Sequence, residues 1–177
     1  MDGKVIWITG LSGSGKSTLA TSLVKTLRDE RHNVLLLDGD ELREVFFSLN
    51  HYAENYERDA RLSLSMFYAK LCRLIASQGI NVLCSTISMF REVHEWNRKN
   101  IPGYFEVYLK VPLSELRRRD PKGIYQRFDS GELKDVAGLD LEVDEPQNPD
   151  ILFEFDSKQS LSDLAEEVIN KFNAKKL

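Results

Sequence analysis

The stretch GLSGSGKST, residues 10–18, lies between the apolar, β-branched run KVIWIT (4–9) and a helix-like pattern over 17–30. No other feature limits the fold of this chain as tightly. Glycines let a backbone wrap closely enough for successive N–H groups to face one anion, and the helix that follows adds positive potential at its N-terminus. Gly10, Gly15, Lys16 and Ser17 occupy the defining places of G-x-x-x-x-G-K-[ST]. Together with Ser12, Gly13, Ser14 and Thr18 they predict a cradle for a nucleoside triphosphate. In such a cradle Lys16 reaches the β/γ-phosphates and the Ser17 hydroxyl suits Mg²⁺.

The same strand-then-helix rhythm continues along the chain. Apolar runs recur as NVLLLD (33–38), INVLCST (80–86), YFEVYLKV (104–111) and ILFEF (151–155). Runs without polar alternation suit strands buried on both faces of a parallel sheet. Helix-length patterns separate them, clearest at 17–30, 58–78 and 161–174, and in the second Leu62, Met66, Ala69, Leu74 and Ile75 are expected to share a face. The alternation predicts an α/β, three-layer fold of the P-loop NTPase type with a mainly parallel five-stranded sheet. Residues 117–148 break the rhythm with DPKG, SGE and EPQNP and read as an extended, mobile segment. Residues 1–177 are expected to form one domain.

What the triphosphate is used for is a separate question. The N-K-x-D of a guanine-reading switch is missing. A kinase needs an acid near an acceptor hydroxyl, and Asp38 and Asp40 stand at the C-terminal end of the second strand, the edge where open α/β sheets bind ligands. Either can orient or deprotonate a hydroxyl or help hold Mg²⁺ through water, and the residues alone leave open which is the base.

At this point the chain resembles the adenylylsulfate kinases, which use MgATP to phosphorylate the ribose 3′-hydroxyl of adenosine 5′-phosphosulfate. The resemblance rests on GLSGSGKST (10–18), LLDGDELR (36–43), ISMFRE (87–92), RDPKGIYQR (119–127) and GELKDVAGLD (131–140) followed by EPQNPDI. It implies that Lys16, Asp38, Asp40 and Lys122 serve catalysis, with Asp40 nearest the acceptor hydroxyl and Asp38 its partner. It further implies that Arg43 grips the acceptor's phosphate, that Ser88 sits where the family closes on substrate or Mg²⁺, with Met89 in place of the family's usual proline, and that Arg91 and Lys134 belong to the acceptor site. Segment 117–137, inside a lid of about 117–148, folds over both nucleotides and brings Arg119 and Lys122 as its cations. A homodimer is implied as well.

Departures from the family pattern cluster at the acceptor. The adenine-stacking ring position falls on Tyr52, the arginine and asparagine positions that hold phosphosulfate and ribose fall on Glu57 and Ala60, and the second ring position is Val136. A carboxylate in place of a guanidinium beside a sulfate repels it. Losing one of two stacking faces removes about 1–3 kcal/mol by analogy with base–aromatic stacking. Arg58 or Arg61 restores the cation if the loop is shifted by a residue or a helical turn, and helix periodicity leaves both open because they stand at i and i+3.

Other properties bound the remaining classes. The 177 residues are 42% hydrophobic and 29% charged, ordinary for a globular chain, and the net charge of −4 argues against a binder of nucleic acid polymers. The start MDGKVIWITG has no basic-then-apolar leader, and no apolar run has the length to cross a bilayer. A cytoplasmic protein without a membrane partner is expected, with Cys72 and Cys84 reduced in the core. The leading expectation is an ATP- and Mg²⁺-dependent kinase of a nucleotide 3′-hydroxyl, with a small-molecule nucleotide as partner. Its acceptor is expected to be cytidine diphosphoramidate, as in relatives from capsule modification, with adenylylsulfate as the alternative. A non-catalytic ATP-dependent switch is the rival class, and the intact DGD and lid sequences oppose it.

Overall fold

The computed structural model describes residues 2–47, 58–155 and 160–174. Five strands, β1 (Val5–Thr9), β2 (Val34–Asp38), β3 (Asn81–Ser85), β4 (Tyr104–Lys110) and β5 (Ile151–Glu154), pair in the order β2-β3-β1-β4-β5. Every pairing is parallel. β1 is buried along its whole length because both faces are covered, and its one polar residue, Thr9, donates its hydroxyl to the Ile87 carbonyl. Ile6 and Ile8 point into one layer, against Leu19, Leu23 and Leu27 of α1 (Lys16–Asp29) and Leu164, Val168 and Phe172 of α7 (Leu161–Ala174). Val5 and Trp7 point into the other, against Tyr68, Ala69 and Cys72 of α3 (Arg58–Ala76) and Val93 of α4 (Arg91–Asn100). A third, smaller cluster joins Val111, Leu116 of α5 (Leu113–Arg119) and Tyr125 of α6 (Ile124–Asp129) to Leu11 and Leu139.

The chain leaves β1 for the β2 edge, returns through β3, then crosses β1 to β4 and β5. That reversal opens a crevice above the carboxyl ends of the central strands. The predicted strands are found within a residue or so of their expected limits. Two expectations need correction. The buried face of α3 is Ser65, Tyr68, Ala69, Cys72 and Ala76, whereas Leu74 is 59% exposed. At 100° per residue Leu74 stands opposite Ser65, so a count of apolar residues misread the face. Nor is 117–148 simply extended: it holds the end of α5 and all of α6. Two short helices (six and seven residues) do not show an amphipathic period long enough to read. Cys72 and Cys84 are buried free thiols, as expected. Among the described residues, no helix is long and apolar enough to cross a membrane.

One buried carboxylate ties the C-terminal part of the sheet together. Glu106 on β4 is 3% exposed, pairs with His94 Nδ1 at 2.7 Å, and accepts from the Tyr104 hydroxyl at 2.8 Å and from Arg98 at 3.1 Å. Arg98 also donates to Asp150 at 2.7 Å and to the Asn148 carbonyl at 2.9 Å, while Asp150 accepts the Glu106 N–H at 2.9 Å. The cluster pins residues 148–150 to α4 just before β5. Removing the shared acceptor strands several buried donors, so Glu106→Ala should lower unfolding free energy by about 3 kcal/mol. Urea unfolding followed by circular dichroism measures this; a loss under 1 kcal/mol would contradict the role given to Glu106.

Candidate active site

The turn after β1 is made by close approach. A Cβ at Gly10 would lie 2.6 Å from the Leu109 carbonyl oxygen and 2.8 Å from Ser14 Oγ, so only glycine fits between the loop and β4. Gly15, with φ of 97°, takes the left-handed step that launches α1. Ser12, Gly13, Gly15, Lys16, Ser17 and Thr18 line one cavity of about 610 Å³. Gly10 and the buried Ser14 stand behind that surface and shape it.

Charged groups converge where β2 ends. The Ser17 hydroxyl donates to Asp38 Oδ2 at 2.8 Å, and Asp38 Oδ1 accepts the Asp40 N–H at 2.9 Å at the start of α2 (Gly39–Phe47). Both oxygens of Asp38 are thus engaged, while the Asp40 side chain is 71% exposed and ion-paired with Lys122 of the α5–α6 turn. Lys16 donates from Nζ to the Leu11 carbonyl at 2.8 Å. Burial lowers its ammonium from the usual 10.5 to about 8, helped by Lys122 and opposed by Asp40 and Asp38. Arg119 also lines the cavity; it donates to Glu115 at 2.7 Å and to the Gly13 carbonyl at 3.4 Å, and stacks on Phe155. Arg118 and Arg119 together hold the Glu115 carboxyl down to about 2.

The far wall of the cavity is cationic. Arg43, Arg58 and Arg61 line it, with Tyr68, Ser88, Phe90 and, from the stretch after α6, Ala137, Leu141 and Glu142. Arg61 donates to the Asp135 carbonyl at 2.6 Å. Arg58 stands 3.6 Å from both Glu92 and Asp144, with its guanidinium over the Phe90 ring. Ser88 is buried with a left-handed φ of 29°, and its hydroxyl pairs with that of Thr86 at 2.8 Å.

Several expected site residues are not brought to this cavity. Val136 is buried and turned away from it; Asp140 accepts its N–H at 2.6 Å, and Ala137 and Leu141 face the space instead. Arg91 and Lys134 have exposed side chains and do not line it, because α4 and the turn after α6 point them outward. Tyr52 and Glu57 lie outside the described residues. Ala60 is described and does not line the cavity. Of the cations expected from a shifted loop, Arg58 and Arg61 both line the wall. Tyr68, Thr86 and Phe90 went unremarked in the sequence because single side chains on a helix face or strand end leave no pattern.

A phosphate-binding turn at the head of a helix, a serine–aspartate pair beside it, and a carboxylate with guanidinium groups in the same cavity make up a phosphotransferase of the P-loop kinase class. The chain belongs to the adenylylsulphate kinase family, whose model matches residues 2–154. It is 38% identical over 167 residues to the cytidine diphosphoramidate kinase of Campylobacter jejuni subsp. jejuni serotype O:2, covering 94% of this chain and 95% of that one. A probable adenylyl-sulfate kinase of Pyrococcus abyssi is 35% identical over 171 residues, with coverage of 97% and 95%. The structure of the Mycobacterium tuberculosis APS kinase CysC in complex with AMPPNP and APS matches with a TM-score of 0.87 at 32% identity, covering 98% of this chain and 99% of that one. This chain is accordingly an ATP-using nucleotide kinase of that family.

The depressed Lys16 ammonium has a measurable consequence. Its folded-state pKa of about 8 lies below the ordinary 10.5, so between those values the unfolded chain holds more protons and stability rises with pH. A polyphosphate beside Nζ reverses the shift by favouring the charged form. Calorimetry with a non-hydrolysable ATP analogue at about pH 8.5 should show net proton uptake, read from the dependence of binding heat on buffer, and little uptake at about pH 6.5. Equal proton uptake at both pH values would contradict it.

Proposed function

We propose that this chain transfers the γ-phosphoryl group of MgATP to the ribose 3′-hydroxyl of a nucleotide with a short anionic tail, and that cytidine diphosphoramidate is its preferred acceptor. The observation that carries the reading is a single cavity that holds the phosphate turn, Asp40, and the arginine wall of Arg43, Arg58 and Arg61. In it the triphosphate occupies the turn, and the acceptor's tail lies against the guanidinium groups.

Asp40 takes the proton of the attacking hydroxyl, since its carboxylate reaches into the cavity while both oxygens of Asp38 are occupied. The new bond forms from the ribose oxygen to the γ-phosphorus as the bond to the β–γ bridging oxygen breaks, and ADP leaves. Lys16, Arg119 and Lys122 neutralise charge that develops on the phosphoryl oxygens. Ser17 and Asp38 form an all-oxygen donor pair of the kind Mg²⁺ prefers, so they would hold it, and the ion would supply charge neutralisation at the β- and γ-phosphates. Lys122 must leave Asp40 before that carboxylate accepts a proton.

The preference for a cytidine acceptor is supported by the whole-length similarity to the Campylobacter enzyme. It is also supported by the aliphatic Ala137 and Leu141, which line the cavity and offer no ring for a base to stack on. Adenylylsulfate is the second reading, favoured by Arg58 and Arg61, which supply cations for a phosphosulfate. A coupled ADP-release assay with cytidine diphosphoramidate, CDP, adenylylsulfate and unrelated nucleosides separates them. Cytidine diphosphoramidate should show a kcat/KM at least about tenfold above adenylylsulfate; the reverse order would replace the first reading by the second. Asp40→Asn should lower kcat by about 10²–10⁴ and leave ATP affinity within a few-fold. Equal losses in both would remove Asp40 as the base.

A further inference from the structure

Tyr125 of α6 is 2% exposed, does not line the cavity, and has no part in the phosphoryl transfer described above. Its hydroxyl nevertheless donates to the Ser12 carbonyl in the middle of the phosphate turn, at 2.9 Å. The carbonyls on either side are also occupied. Leu11 accepts from Lys16 Nζ at 2.8 Å and Gly13 from Arg119 at 3.4 Å. A loop that presents successive N–H groups to an anion turns carbonyls away from it, and each carbonyl shielded from water needs a donor.

These three donors are not equivalent. Lys16 and Arg119 line the cavity, so an incoming polyphosphate competes with the carbonyls for them. Tyr125 is neutral and held from every side. Its ring packs with Val111 and Leu116, the Arg117 guanidinium lies 6.0 Å from it, and Asp120 accepts the Tyr125 and Gln126 N–H groups at 3.2 and 2.9 Å. Burial, then Asp120, raises the phenol to about 12, so it remains a donor at any working pH. When phosphate draws Lys16 away from Leu11, the bond to Ser12 stays.

We propose that Tyr125 is a positioning residue for the triphosphate: its hydroxyl fixes the Ser12 peptide so that the N–H groups of the turn stay aimed at the phosphates. The helix carrying it is thereby a buttress of the phosphate turn. This inference rests on the triphosphate reading of the cavity.

Tyr125→Phe removes one oxygen and keeps the ring, so the packing persists. Calorimetry on the full chain with a non-hydrolysable ATP analogue, together with steady-state KM for the acceptor the wild type turns over best, tests it. The variant should bind the analogue about five- to tenfold more weakly, the loss of one neutral hydrogen bond, with acceptor KM within twofold of wild type. Arg117→Gln, which perturbs the ring's surroundings but not its hydroxyl, should leave analogue binding unchanged. Wild-type affinity in Tyr125→Phe overturns the proposal, as does an equal loss in Arg117→Gln or a parallel rise in acceptor KM, each of which marks general loosening. A wild-type protein that fails to bind the analogue sinks the triphosphate reading first, and the proposal with it.

Discussion

Burial of the Lys16 ammonium is the constraint on which the rest of the site depends. Withdrawing a charge from water is tolerated only with nearby acceptors or opposite charge. The Leu11 carbonyl, Asp38 and Asp40 supply these, while Lys122 works against them. The cations of the site thus pair with groups of the protein itself. Lys16 bonds to backbone and Lys122 to Asp40, and a phosphate chain offers both a stronger partner. Anion binding and release of the acidic groups are one exchange of partners.

The sheet that carries these groups was legible because its strands are buried on both sides. VIWIT is apolar up to Thr9 and YFEVYLK is interrupted only by Glu106 before its terminal Lys110, and runs so rich in apolar residues have few alternatives. The phosphate turn was equally legible, since Gly10 meets the Leu109 carbonyl and Gly15 needs a left-handed backbone. What escaped was anything decided by three-dimensional facing. Leu74 looks like a core residue until the helix is seen to turn it to solvent. Val136 aligns with a ring position, yet the chain around Asp140 folds it inward and exposes Ala137 to the cavity. α5 and α6 are too short to show a period, and their place is set by a satellite cluster around Leu116 and Tyr125.

The far wall of the cavity is built on guanidinium groups. Two of them, Arg58 and Arg61, come from α3. Each is braced: Arg61 by the Asp135 carbonyl, Arg58 by Glu92 and Asp144. Braced arginines present planar donors in fixed directions, which suits a phosphate or its analogues better than a single mobile charge.

The stretch from Ser130 to Asp150 carries little regular structure, yet it is moored repeatedly. Asp140 gathers the N–H groups of Asp135 and Val136, Asp144 bonds to the Met89 carbonyl and accepts the Arg91 N–H, and Asp150 joins Arg98 and Glu106. Moorings of this kind divide one long excursion into short spans whose ends are already close. Loop-closure entropy grows with span length, so the ordering cost of that stretch is met in small steps during folding. A segment ordered in this way has little conformational freedom left to lose to any later contact.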